Sequence, residues 1–539
     1  MLFPTLPLIR ISLVCSLLVA VSSCAYSPEQ SNSVAHRTDS NSEQFTVQLL
    51  GINDFHGQIS QLENHGGMYQ LSRHLLHAIG NTTEHSFILH AGDHVGASPA
   101  ESALLQDEPA IDFLNLFNNY CQSLVANPCE IIGAAGNHEF DEGSEEMKRL
   151  LEGGNHADGP FIHPQWQGAN YITLGANVID KQNNQAILPP YVVHTVNGVP
   201  IGFIGITLDI TPELVVPGIV DDLRFENQAS TVAKYVNELQ SQNVQALVVI
   251  VHDGTADDYY AGDTKQSSGI DLDSRFGRFV QALPDAVDVL VTGHSHRFTN
   301  AYVSNTNGKQ FLVTQAFSSG RAYSDITITL NKQSGDIVQA NAKVVMTEAD
   351  ANLSLDAKAK DLLAEITTLK QASINYAQSL TNKRVGDYLA VATENDLGQF
   401  IADSHRFALK ADLAIMNRGG VRADLVEGEV TWGQLFAIQP FNNPLVVREY
   451  TGAQLKSLLV ERHFYSQNVK IDEMGQIQID GLPLEDLKTY TMAGNGYILN
   501  NQGYDQGRLV GTYGLDIDAT VDYIKLLQQP FNLSSTPVK

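Results

Sequence analysis

Leu50-Gly51-Ile52-Asn53-Asp54-Phe55-His56-Gly57 decides the fold. It closes an apolar run over residues 45–52 that reads as a buried strand, and then turns into a polar, glycine-terminated loop. The same grammar recurs downstream. Apolar runs at 86–90, 130–135, 246–251 and 287–291 lead into Gly92-Asp93-His94, Gly136-Asn137-His138-Glu139, His252-Asp253-Gly254 and Gly293-His294-Ser295-His296. A further run at 201–206 carries no such loop. Helical periodicity over 68–79 and 229–242 lies between strands, which makes an α/β arrangement. In such sheets ligands gather at the carboxyl ends of strands. Five donor-bearing loops at five strand ends therefore predict one site.

The chain has 539 residues, too many for a single core. The strands occupy residues 45–346. An amphipathic charged helix near 353–377, within a connecting segment at 347–381, leads to a second domain at 382–532. That domain opens a helix after Glu394-Asn395-Asp396, turns at Gly419-Gly420 and closes on a helix near 519–528. A formal charge of −27 excludes nucleic acid as a bulk partner, since such binding needs a basic face. An anionic substrate would then need local cations.

Arg10 precedes an apolar run at 11–21, the length of a secretory signal core and too short to span a bilayer. It ends in Val21-Ser22-Ser23-Cys24, which resembles a bacterial lipobox with Cys24 as the lipidated residue. The alternative is ordinary cleavage after Ala25. Residues 1–24 are thus read as a lipoprotein signal and 25–44 as a polar tether. The expectation is an exported lipoprotein facing the periplasm or cell surface, touching the membrane through its anchor only. In an oxidising compartment Cys121 and Cys129 are expected to pair, the alternative being two free buried thiols.

The loops carry carboxylate, imidazole and amide donors. A two-metal hydrolase needs these: a carboxylate to bridge two cations, and imidazole and carboxylate to complete each shell. Any one motif is weak, because an isolated Asp-x-His is usually a turn with a surface histidine. Their order and placement together resemble the calcineurin-like metallophosphoesterases. The first block and Gly136-Asn137-His138-Glu139-Phe140-Asp141 narrow the resemblance to the bacterial 5'-nucleotidase family, which includes UDP-sugar hydrolases and 2',3'-cyclic nucleotide 2'-phosphodiesterases.

The resemblance implies an α/β architecture. An N-terminal metallophosphoesterase sandwich of mixed sheets flanked by helices would be joined by a helix to an α+β 5'-nucleotidase C-terminal domain. It further implies two divalent metal ions, Zn, Mn, Fe or Co. Asp54, His56 and His296 would hold one, Asn137, His252 and His294 the other, and Asp93 would bridge. His138 would touch a phosphate oxygen with Asp141 orienting its ring, and a hydroxide between the metals would attack. Asp253 stands where the family commonly has Glu. His94, His156, His163 and Arg321 are read as structural or surface residues.

On the substrate side, Asn417-Arg418-Gly419-Gly420-Val421-Arg422 is similar to a family segment whose arginine binds phosphate and whose asparagine meets the base. Phe441 and Tyr497 resemble the two aromatic rings that sandwich that base. The family then places an aspartate on the ribose. This chain has Gln502 there, an amide that cannot accept with charge, and Thr393 where some members carry arginine. The expected substrate is a nucleotide or other phosphate ester. Alternatives are a cyclic-nucleotide phosphodiesterase or UDP-sugar pyrophosphatase and, in another class, a non-catalytic nucleotide-binding surface lipoprotein.

Overall fold

Strand Gln44–Ile52 alternates its side chains between two cores. Val47 and Leu49 face one, Leu50 and Ile52 the other. Both faces are dry, so the strand sits inside a layered structure. The computed structural model describes residues 43–537 except 63, 83, 126–127, 258, 392–395, 460–462 and 502. Cys24 and its lipobox, most of the tether, Thr393 and Gln502 lie outside the described residues.

Gln44–Ile52 pairs in parallel with Ser86–Ala91, which pairs in parallel with Cys129–Ala134, and that with Ile172–Leu174. On its other edge it meets Ala322–Asn331 antiparallel, and Ile337–Met346 closes the six-stranded sheet. A second six-stranded sheet runs Phe298–Ser304, Gln310–Ala316, Val289–Thr292, Ala246–Val251, Val199–Ile206, Tyr191–Val196. The sheets pack face to face through Val47, Leu49, Phe87 and Leu89 against Ile201, Phe203, Val248 and Ile250. Helices Gly67–Asn81 and Glu108–Ser123 cover the first sheet, and Gln228–Ser241 and Arg275–Gln281 the second. All five donor loops leave the same end of this sandwich.

Helix Ala357–Thr381 starts where Asp356 caps it, its side chain accepting from the Ala359 N–H. Its buried Leu362, Ile366 and Leu369 belong to the core under the first sheet, so it is packed along most of its length. Beyond it, a five-stranded sheet runs His463–Tyr465, Leu413–Asn417, Thr489–Asn495, Pro444–Thr451, Arg508–Leu515. Helices Leu397–Leu409 and Asp516–Lys525 cover it. Among the described residues no helix is long and apolar enough to cross a membrane.

Cys121, in helix Glu108–Ser123, is disulfide-bonded to Cys129, the first residue of the third strand. The bond closes a loop with a separation of 8 residues. Loop-closure entropy gives such a bond about 2–3 kcal/mol. Reduction should lower the chemical-denaturation midpoint of the N-terminal region accordingly; identical midpoints with and without reductant would show that the staple is idle.

Candidate metal centre and substrate cavity

The donor loops turn more sharply than ordinary residues allow. Asp54, His56, Asp93, His294 and His296 all have φ between 49° and 68°, the left-handed region. Each such non-glycine residue costs about 1–3 kcal/mol and persists only where the surroundings hold it. Here the loops hold one another. The backbone N–H of Asp54 donates to Gly92 O, and that of His56 to Asp93 O. The His294 N–H reaches the Asp54 carboxylate at 3.0 Å.

The donors form two groups that share one residue. Asp54, His56, Asp93 and His296 make the first, and Asp93, His252 and His294 the second. In the first, His56 Nδ1 lies 2.8 Å from Gly96 O, which makes Nδ1 the donor and leaves Nε2 a lone pair. That lone pair faces His296 Nε2 at 3.0 Å, and Asp54 Oδ1 is 3.4 Å from the same His296 nitrogen. In the second, His252 Nδ1 is anchored 2.7 Å from Ala91 O, and Nε2 sits 3.0 Å from Asp93 Oδ2. Asn137 Oδ1 joins this group at 3.1 Å from His252 and 3.0 Å from His294. All the ligands expected from the sequence are therefore brought together.

The electrostatics call for positive charge. Burial holds the His56 imidazole well below its usual range, so it is a neutral donor. Burial opposes charge on Asp93 too, but His252 and His138 hold its carboxyl well below the carboxylate range. Burial likewise disfavours the charged form of His252, yet Asp93 pushes it up to about 10. Converging lone pairs around a buried, ionised carboxylate fit divalent cations, whose charge would replace that proton.

His138 lies to one side. Its backbone N–H donates to Asp93 Oδ1 at 2.9 Å, and its Nδ1 is 2.6 Å from Asp141 Oδ2. Burial opposes protonation of the ring, but Asp141 and Asp93 raise it to about 9. Glu139 was not singled out by sequence reasoning, and it organises the centre. Its carboxylate accepts the backbone N–H groups of Asp93, His94 and Gly136. The Gly136-Asn137-His138-Glu139 loop thereby clamps the Gly92-Asp93-His94 loop. Asp253 belongs to neither donor group and pairs with Arg275 at 2.6 Å. His94 is structural, anchored to Ala110 O and stacked on Phe55. His163 pairs with Asp112 and His156 packs on Phe161. Arg321 reaches Ser318 and the Phe317 ring.

A cavity of about 360 Å³ joins the two halves of the chain. Asn137, His138 and His294 line it from the metal side, and Asn417, Arg422, Phe441 and Tyr497 from the other. Phe441 stacks on His138, with centroids 6.0 Å apart, and lies under the Arg422 guanidinium at 5.8 Å. Tyr497 Oη donates to Glu213 O at 3.4 Å, tying the C-terminal region to the sandwich. Asn417 Oδ1 accepts from Asn495.

The calcineurin-like phosphoesterase family matches residues 47–298, and the 5'-nucleotidase C-terminal domain matches 378–473. The cell wall protein Lmo0130 of Listeria monocytogenes is 30% identical over 89% of this chain and 67% of its own length. Endonuclease YhcR of Bacillus subtilis is 28% identical over 90% of this chain, which spans only 40% of that longer protein. The 5'-nucleotidase of Vibrio cholerae is 24% identical over 95% and 94% of the two chains. The fold is that of a 5'-nucleotidase precursor from Thermus thermophilus, with a TM-score of 0.69 at 22% identity over 92% of this chain and 98% of that one. Fold and site together define a metal-dependent phosphoester hydrolase. The chain belongs to the 5'-nucleotidase family, with a calcineurin-like phosphoesterase domain followed by a 5'-nucleotidase C-terminal domain.

Gly136 tests the centre independently of its ligands. A Cβ there would stand 2.2 Å from Asp93 Oδ1. Gly136→Ala should leave a folded protein by circular dichroism that has lost most of its bound metal by elemental analysis. Full metal content would mean that Asp93 is not held where the two groups share it.

Proposed function

We propose that the protein hydrolyses nucleotide phosphate monoesters outside the cytoplasm, using two divalent metal ions. The observation that carries this reading is the shared cavity, in which a paired donor centre and two aromatic side chains face one space. A 5'-nucleotidase among the relatives, matched along nearly its full length, supports it.

Asp54, His56 and His296 would hold one ion, Asn137, His252 and His294 the other, with Asp93 between them. When bound, the ions supply Lewis acidity and a water nucleophile at neutral pH. The remaining work falls to this chain's own side chains. Arg422 offers a planar donor fork to the phosphate and offsets charge in an acidic protein. Asp141 fixes the His138 ring and keeps it protonated, so that its free N–H can donate to a phosphate oxygen as negative charge builds. Asn417 would meet the base. Phe441 and Tyr497 supply its stacking surface, and Gln502 would meet the ribose.

Export is supported by the signal-like N-terminus, the Cys121–Cys129 disulfide and a relative named as a cell wall protein. Anchoring through Cys24 is part of the same proposal. Cyclic-nucleotide or UDP-sugar hydrolysis is the second reading, favoured by Gln502 in place of an acid. The acidic chain speaks against a nucleic-acid substrate, although one longer relative is named an endonuclease.

A substrate panel in Mn²⁺ or Zn²⁺ tests the reading. Turnover of AMP above UDP-glucose, 2',3'-cyclic AMP and single-stranded DNA is expected, with loss on chelation; inactivity on all four would sink it. His138→Ala should keep its metal and lose about a hundredfold or more in kcat. In Asp141→Asn the alkaline limb of kcat should move to lower pH, because the carboxylate that raises His138 is gone. An unmoved limb would remove His138 as the proton donor.

A further inference from the structure

Asp107 stands at the N-terminal cap of helix Glu108–Ser123 and does not cap it. An aspartate at that position ordinarily accepts a hydrogen bond from an N–H of the first turn. Here the backbone is left-handed, with φ 55°, and the buried side chain is engaged elsewhere. Oδ2 accepts the Gly96 N–H at 2.9 Å, and Oδ1 accepts the Ser102 hydroxyl at 2.6 Å. A residue that forgoes its cap and takes a strained backbone answers to a constraint outside its own helix. The mount is rigid. Ile111, Phe113 and Leu114 of the same helix are buried in the core under the first sheet, and Cys121 is disulfide-bonded to Cys129.

Gly96, whose N–H Asp107 holds, presents its carbonyl to His56 Nδ1 at 2.8 Å. That contact makes Nδ1 the donor and leaves the Nε2 lone pair for a ligand role. The N–H and C=O are the two polar groups of one residue, so a carboxylate that fixes the first also fixes where the second points. Asp107 lies against the turn that carries His56 as well: a Cβ on Gly57 would stand 2.8 Å from Asp107 Oδ1. The loop from Gly92 to Gly96 is thus held twice, at Asp93 and His94 by Glu139 and at Gly96 by Asp107. The second donor group is anchored elsewhere, His252 on Ala91 O and Asn137 on His252 and His294. We propose that Asp107 is a positioning residue for one of the two ions. Acting through Gly96, it keeps His56 in the tautomer and orientation that donate, and so strengthens the ion at Asp54, His56 and His296 while leaving the other alone. This rests on the two-ion reading of the donors. Partners that orient a ligating histidine are worth about tenfold to a hundredfold in metal affinity.

Calorimetric titration of the metal-free full-length protein with Mn²⁺ tests this without recourse to activity. The wild type should bind two ions, and His56→Ala should weaken one of them, which identifies the ion that His56 holds. Asp107→Ala should weaken that same ion about tenfold to a hundredfold and leave the other within about twofold. Asp107→Asn keeps an oxygen for the Gly96 N–H and should stay close to wild type. In the His56→Ala background, Asp107→Ala should add nothing, because its effect passes through that ring. Two unchanged affinities in Asp107→Ala, two affinities weakened alike, or a full additional loss on top of His56→Ala overturns the proposal. If Asp107→Ala does not fold, Ser102→Ala carries the test, since it removes the hydroxyl that holds Asp107 Oδ1. The same ion should then weaken by a smaller factor, and unchanged binding overturns the proposal. A wild type that binds fewer than two ions overturns the two-ion reading instead.

Discussion

The molecule is built around one buried carboxylate. Asp93 is almost fully removed from water and yet ionised, a state that a protein interior penalises by several kcal/mol unless the charge is met by donors and counter-charge. One oxygen receives the His138 backbone N–H, and the other faces His252 and, at 3.8 Å, His56. To bring these partners in, five residues accept left-handed backbone. Such strain survives because a close-packed double sheet fixes the strand ends that carry the loops, and because Glu139 ties two of the loops by their amides. Stability in the sandwich is thus exchanged for geometry at its rim.

The C-terminal region depends on this rim for its place in the cavity. Phe441 touches His138 and Arg422 together, so the ring offered for base stacking is also in contact with the side chain offered to the phosphate. Its loop is held from behind. Gln439 accepts from Thr520, and the Asp516 N–H donates to Asn443 O, both partners lying on the last helix. The Gln439–Asn443 segment is therefore positioned by a packed helix, and the cavity-lining Phe441 ring inherits that rigidity. In the proposed function, substrate shape and chemistry would be coupled through this single aromatic side chain.

Much of this was legible in the sequence, for a physical reason. Strands buried on both faces read as continuous apolar runs, and runs such as 246–251 coincide with strand Ala246–Val251. Loops that need sharp turns and metal donors advertise both, through glycine beside Asp, Asn and His. The return strands Ala322–Asn331 and Ile337–Met346 were less visible, since their faces alternate between core and solvent and the first of them pairs with a strand about 280 residues earlier in the chain, the second only with the first. Glu139 escaped because its function is to accept backbone N–H groups, which leave no trace in side-chain patterns. The contact of Phe441 with His138 could not be read either, because it joins two turns about 300 residues apart in the chain. Asp253 shows the opposite case. A changed residue beside a ligand drew attention, and the structure gives it an ordinary partner in Arg275.

The two halves of the chain answer different physical demands, and this explains why one was easier to interpret. Metal chemistry constrains residue type tightly: few side chains donate to a divalent cation, and the backbone must place them within tenths of an ångström. A stacking pocket constrains far less, since any aromatic face will take any base and an amide can stand in for an acid at a hydroxyl. The metal half is therefore written in a short code of glycines and donors. The substrate half is written in field and shape. Arg422 is the one arginine lining the cavity among the described residues, so it supplies the positive part of that field beside the donor centre.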